Sequence, residues 1–255
     1  MCNKDLFFRN FGNGKPIVIL HGILGSSEIW VPTAKILSAK NRVIIPDLPN
    51  HGKSLHTNSL NYDYICDTIV AFLKANNIDK PIVIGHSYGG KIALNLVAKK
   101  NIDIEKIVLI DITSEEQTAT NMEFLFDILA KPLPHLSSFA EAEKYFYNII
   151  DEKNMALLLL KGLKRTEKTL TWKWNANLLS QQYTEILKPI NLLPTSDVPL
   201  LLISGERSDY VSTNGIELLK SSFKKFSHIT ILDAGHWVHT DNFDELIKTI
   251  TAFVG

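Results

Sequence analysis

Short apolar runs alternate with longer helix-period stretches along most of the chain. Ile17–Leu20, Val43–Ile45, Ile82–Ile84, Ile107–Ile110, Leu200–Ile203 and Ile229–Leu232 are brief, bounded and rich in Val, Ile and Leu. Such runs fit strands buried on both faces of a mostly parallel sheet. Leu6 to Phe11 adds an expected edge strand. Between the runs, apolar side chains recur at helical spacing. Ile65, Ile69, Phe72 and Leu73 share one face, as do Ile92, Leu96 and Val97, and Phe243, Leu246, Ile247 and Ile250 near the end. This alternation predicts an α/β fold with helices on both faces of the sheet.

The pattern breaks between about Thr113 and Ser196. Helix formers and aromatics such as Phe124, Phe126, Phe139, Tyr145, Phe146, Trp172 and Trp174 dominate there, with no clear strand. Pro132, Pro134, Pro189 and Pro194 punctuate the stretch. The expectation is a helical insertion over residues 113–196, entered and left at the same edge of the sheet. Residues 1–112 and 197–255 would form the core. A separate helical domain is the alternative, and the strand pattern that resumes at Leu200 favours an insertion.

Composition narrows the classes. The 255 residues are 45% hydrophobic, and Lys+Arg and Asp+Glu both number 27. A balanced charge gives no electrostatic reason to expect nucleic acid or an anionic membrane surface. Cys2 and Cys66 are too few for a disulfide framework and lack metal-ligand spacing. The start, MCNKDLFFRN, lacks the apolar core of a signal peptide. The apolar run Met155–Leu160 falls far short of the roughly 18–20 residues that span a bilayer. A cytoplasmic protein without a membrane span is expected.

Candidate chemistry centres on residues 85–92, GHSYGGKI. As Gly-x-x-x-x-Gly-Lys it approaches a phosphate-binding loop. That signature ends in Ser or Thr, whose hydroxyl ligates Mg²⁺. Ile92 stands there instead and offers no oxygen. As Gly-x-Ser-x-Gly it places Ser87 at a sharp strand-to-helix turn, flanked by Gly85 and Gly89 where crowded backbone excludes Cβ atoms. The following helix N-terminus would face developing negative charge.

A serine hydroxyl needs a base. Among eight histidines, His56, His135 and His228 are expected at the surface, in loops or at segment boundaries. His51 is expected in a turn, and His86 is expected to point away from its neighbour Ser87. His236, in DAGHW after the last strand, emerges at the carboxyl edge of the sheet, the functional edge of open α/β folds. His236 and His239 also have the spacing of a metal pair, but no third ligand accompanies them. Oxyanion donors are assigned to the backbone N–H groups of Ile23, in the glycine loop HGILGS, and of Tyr88.

HGILGSSEIW, PDLPNHGKS, GHSYGGKIAL, IVLIDI, LISGERSDYVS and DAGHWVH occur in the order seen in the α/β-hydrolase superfamily. The resemblance spans about Pro16 to Val254. More closely, the chain resembles a branch of small bacterial esterases with a four-helix lid, and Trp172–Asn175 resembles that branch's lid exit. The resemblance implies a Ser–acid–His order, a helical lid over the site and no cofactor.

The superfamily usually supplies the acid in a Gly-x-x-Asp pattern after the strand that here is Leu200–Ile203. This chain has Ser208 at that position and Asp209 one residue later. The resembled branch implies Asp111 as the acid, with Ser208 supporting the histidine. Asp209 stays open as the alternative. Asp47 is expected to fix the turn before NHGKS. The expected activity is hydrolysis of short- to medium-chain acyl esters. A thioesterase, C–C hydrolase or lyase-type synthase would use the same residues, and a non-catalytic small-molecule receptor would retain the fold.

Overall fold

The computed structural model describes residues 6–118, 122–192 and 195–255. Cys2 and Pro194 lie outside the described residues. Seven strands form one sheet: β1 (Phe8–Phe11), β2 (Lys15–Leu20), β3 (Asn41–Pro46), β4 (Ile82–His86), β5 (Lys106–Ile110), β8 (Leu200–Gly205) and β9 (Phe226–Ile231). Their spatial order is β1-β3-β2-β4-β5-β8-β9. Only β1, at an edge, runs antiparallel to its neighbour.

Strand side chains alternate between the two faces, and both faces are covered. Ile17, Ile19, Val43, Ile45, Ile82, Ile84, Val108 and Ile110 pack on one side with Leu37 of α1 (Val31–Leu37) and Leu246 and Ile250 of α10 (Phe243–Val254). The intervening residues Val18, Leu20, Ile44, Val83 and Leu109 pack on the other side, against α2 (Tyr62–Ala75) and α3 (Tyr88–Lys99). This double coverage is why the inner strands read as unbroken apolar runs; at the β9 edge, by contrast, Ile229 and Leu232 of the expected buried run are exposed. The expected helix faces are the buried ones: Ile65, Ile69, Phe72 and Leu73 are all enclosed. Asn61 starts α2 as its cap, its side chain accepting from Asp63 N–H at 2.8 Å.

Between β5 and β8 the chain leaves the sheet for α4 (Glu123–Ala130), α5 (Phe139–Ile149), α6 (Lys153–Lys161) and α7 (Ala176–Leu187). Two details differ from expectation. A short antiparallel hairpin, β6 (Leu163–Arg165) with β7 (Leu170–Trp172), sits among these helices. Three-residue strands are too brief to leave a period-2 pattern. Also, β5 and β8 are parallel neighbours. The chain therefore departs at the carboxyl edge of the sheet and returns at the amino edge, not at the same edge. The insertion shares the core of the sheet: Phe126, Phe146, Leu159, Trp174 and Leu179 join one continuous apolar cluster with α2 and α3. Among the described residues, no helix is long and apolar enough to cross a membrane.

Candidate active site

β4 ends at His86 and α3 begins at Tyr88, leaving Ser87 alone to make the turn. Ser87 has φ 51° and ψ −118°, a region costly for a residue with a side chain. The surroundings impose it. Ser87 N–H donates to Ile110 O at 3.1 Å, and its carbonyl accepts from Gly90 N–H at 2.8 Å. A Cβ on Gly85 would meet Gly89 O at 2.5 Å, and one on Gly89 would meet Leu20 O at 2.2 Å. Tyr88 N–H belongs to the first turn of α3, where the helix itself supplies no acceptor.

Two buried histidines shape the loop after β2. His21 Nδ1–H donates to Gly22 O at 2.8 Å, and its Nε2 accepts from Leu48 N–H at 2.9 Å. His51 Nδ1–H donates to Pro49 O at 2.9 Å, and its Nε2 accepts from Leu24 N–H at 3.1 Å. Burial holds both rings neutral, His51 being pushed down to about 3 and His21 lowered. Each ring links the loop carrying Ile23 to the loop after β3. His51 is thus an internal strut rather than a simple turn residue. Asp47 completes the frame, accepting from Ser27 N–H at 2.6 Å and Lys53 N–H at 2.8 Å.

Asp111 follows β5 with φ 52° and is fully buried. Its Oδ2 accepts from His236 Nδ1–H at 2.7 Å and from the Ser208 hydroxyl. Its Oδ1 accepts from Gly205 N–H at 3.0 Å. Three donors compensate the burial of one carboxylate. Asp209, the alternative acid, is exposed. The serine at the Gly-x-x-Asp position thus donates to a carboxylate supplied by the neighbouring strand.

Several side chains differ from their sequence reading. His86 does not point away from the site. Its Nε2–H donates to His236 O at 2.9 Å. His228 lies inside β9, half-buried, with its Nε2 2.8 Å from Ser204 Oγ. Lys91, the lysine that evoked a phosphate loop, is buried and donates to Leu187 O at 3.0 Å and Lys188 O at 2.7 Å. It serves carbonyls at the end of α7. Tyr210, which lies in the LISGERSDYVS motif but has no role in the sequence reading, stacks on the His236 ring. Its place in the sequence, two residues after Ser208, was the one available signal.

Two cavities meet at Ser87. One, narrow at about 20 Å³, is bounded by Ile23, Tyr88, Lys91, Ile112 and Leu187. The other, of about 40 Å³, contains His236 and is roofed by Met122, Leu125, Met155 and Leu158. The inserted helices α4 and α6 thus cover the serine and histidine with apolar side chains. Asn175 ties the insertion down, its N–H donating to Asn50 O at 3.0 Å.

The family model for the alpha/beta hydrolase fold matches residues 15–136. The chain is 30% identical to esterase YbfF of Escherichia coli (strain K12), covering 96% of this chain and 95% of that protein. It is 28% identical to the sn-1-specific diacylglycerol lipase ABHD11 of Danio rerio, covering 97% of this chain and 80% of that one. Among solved structures, a marine microorganism esterase superposes with a TM-score of 0.92 at 31% identity, covering 98% of this chain and 99% of that one.

Proposed function

The chain belongs to the α/β-hydrolase fold family, and within it we propose a serine esterase whose nucleophile is Ser87, base His236 and acid Asp111. The observation that carries this reading is the Asp111–His236 bond of 2.7 Å beside a cavity that His236 shares with Ser87. The names of the relatives support the same chemistry: an esterase, a lipase and a solved esterase.

In this reading Ser87 Oγ attacks the ester carbonyl while His236 Nε2 takes its proton. Asp111 holds Nδ1–H, which fixes the tautomer and stabilises the imidazolium. The N–H groups of Ile23 and Tyr88 receive the negative charge on the carbonyl oxygen. His236 then gives its proton to the leaving alcohol. Water attacks the acyl-enzyme with His236 again as base, and the acid departs. No step needs a cofactor. Residues 113–196 act as the lid, and the apolar side chains of Met122, Leu125, Met155 and Leu158 beside Ser87 suit the acyl group of short- to medium-chain esters. The unpaired, buried Cys66 is consistent with a reducing cytoplasm as the working compartment.

The test is hydrolysis of p-nitrophenyl esters from acetate to decanoate by the parent and Ser87→Ala. The parent is expected to turn over the shorter esters and the variant to lose that activity. Turnover that survives in Ser87→Ala would remove Ser87 from the mechanism. A parent that cleaves matched thioesters or C–C substrates and no oxygen ester would change the bond assigned.

A further inference from the structure

A base in an acyl-transfer site must meet two atoms that lie apart, the serine oxygen and the acid. Small rotations of the imidazole break one contact or the other, and the acid fixes only Nδ1. Something else has to hold the ring and the backbone that carries it. His236 sits in the loop after β9, between Gly235 and Trp237, where the chain has no ladder to restrain it.

Two side chains supply that restraint. The Tyr210 ring lies on the imidazole with centroids 3.6 Å apart and planes within 15°. Tyr210 is itself anchored, because its N–H donates to Ser208 Oγ at 3.3 Å, the hydroxyl that also serves Asp111. The second restraint comes from His86. Its Nε2–H bond to His236 O fixes the backbone of the base, and its ring lies 4.9 Å from the His236 ring. His86 directly precedes Ser87, so the element that presents the nucleophile also grips the base. A neutral His86 suits this role, and burial keeps it well below the usual histidine range.

We propose that Tyr210 and His86 clamp His236, Tyr210 by stacking on the imidazole and His86 by holding its backbone carbonyl. Both are positioning residues. The stack adds an electrostatic effect, since an aromatic face attracts a cation and the imidazole becomes one in the transition state. The ionisable groups around the base are Asp111, Tyr210, His86 and His239. Burial keeps Tyr210, His86 and His239 neutral near neutral pH, so loss of the Tyr210 face acts on the imidazolium directly. The inference rests on the serine-esterase reading and adds two residues to it.

The test uses Tyr210→Leu, Tyr210→Phe, His86→Phe and His86→Gln in the full chain, with p-nitrophenyl butyrate as substrate. Tyr210→Leu and His86→Phe are expected to lose about 10- to 100-fold in kcat, the scale of a misplaced catalytic group, with KM little changed. Tyr210→Phe keeps the ring and is expected to stay near the parent. His86→Gln restores a donor and is expected to recover part of what His86→Phe loses. The acid limb of the kcat/KM profile should move to lower pH in Tyr210→Leu and stay in Tyr210→Phe. Unchanged kcat and an unchanged pH profile in Tyr210→Leu would overturn the stacking role. Equal activity of His86→Phe and His86→Gln would overturn the carbonyl bond.

A measurement on the parent guards against variants that fail to fold. Proton NMR of the His236 ring, assigned by its loss in His236→Gln, should show the upfield displacement of a proton over an aromatic face. Its absence would overturn the clamp without any variant of the two residues. If the parent neither cleaves esters nor takes a fluorophosphonate label, the esterase reading fails, and the NMR signature still judges the clamp.

Discussion

Asp111 is completely buried, and the three donors around it decide what each of its neighbours is worth. Gly205 N–H, the Ser208 hydroxyl and His236 Nδ1–H all converge on it. Replacing the carboxylate by an amide offers an N–H where the imidazole also has one, which favours the wrong tautomer. Asp111→Asn is therefore expected to lower kcat by on the order of 10⁴. Asp209→Asn, at an exposed position with no part in this network, should leave kcat within about twofold of the parent, as one surface change outside a site usually does. Parallel kcat measurements on the two variants check both. A large loss in Asp209→Asn with none in Asp111→Asn would reverse the assignment of the acid.

At the scale of elements, Lys91 joins the nucleophile's helix to the inserted one. Its ammonium meets Leu187 O and Lys188 O, two carbonyls at the end of α7 that the helix leaves unpaired, where the dipole also favours a cation. Lys91→Met leaves Leu187 O with Gln117 N–H at 2.9 Å and takes the donor from Lys188 O, and the lost bonds are expected to cost about 1–3 kcal/mol of stability. Burial pulls the Lys91 amine down to about 8 from 10.5, with Glu116 and Glu115 pulling the other way. Above about pH 8 the unfolded chain therefore keeps a proton that the folded chain has released. Stability from this group rises with pH there, by up to about 1.4 kcal/mol per unit. Cys66 opposes it above pH 9, since burial lifts its thiol to about 12. The contrast is thus clearest between pH 8 and 9, as a difference in urea midpoint shift between the parent and Lys91→Met. Equal shifts in the two would deny Lys91 this role. The same residue shows where sequence reading stops. The strands, the helices and the sharp turn at Ser87 were legible because period and glycine placement encode them locally, whereas Asp111 was reached only through the family resemblance. Lys91, Tyr210 and His86 act on partners far away in sequence, and nothing in the residues around them encodes the partner. The β6–β7 hairpin escaped for the opposite reason, being too short to carry a pattern.

For the whole molecule, the edge that carries the chemistry is also the edge most exposed to acid. His21, His51, His86 and His239 follow or end β2, β3, β4 and β9, all at the carboxyl end of the sheet. Burial keeps every one of them below the ordinary histidine value, His51 and His239 down to about 3. The sign follows from linkage. In the unfolded chain these rings take up protons near pH 6.5, while in the folded chain they stay neutral to lower pH, His51 and His239 to about 3. The stability they provide is complete above about 6.5 and is lost as pH falls from there towards 3. Each ring contributes a slope of up to about 1.4 kcal/mol per pH unit, and His51 and His239, both lowered to about 3, would together rival the marginal stability of a typical domain. Urea midpoints measured between pH 8 and pH 4.5 should therefore be level at the top of the range and fall steeply below about 6.5. His51→Gln, with one buried ring fewer, is expected to be less stable at pH 8 and to fall less steeply. A parent midpoint that stays level to pH 4.5 would mean that these rings are protonated in the folded protein. Their burial would then impose no penalty on the charged form, and the acid sensitivity assigned to this edge would be wrong.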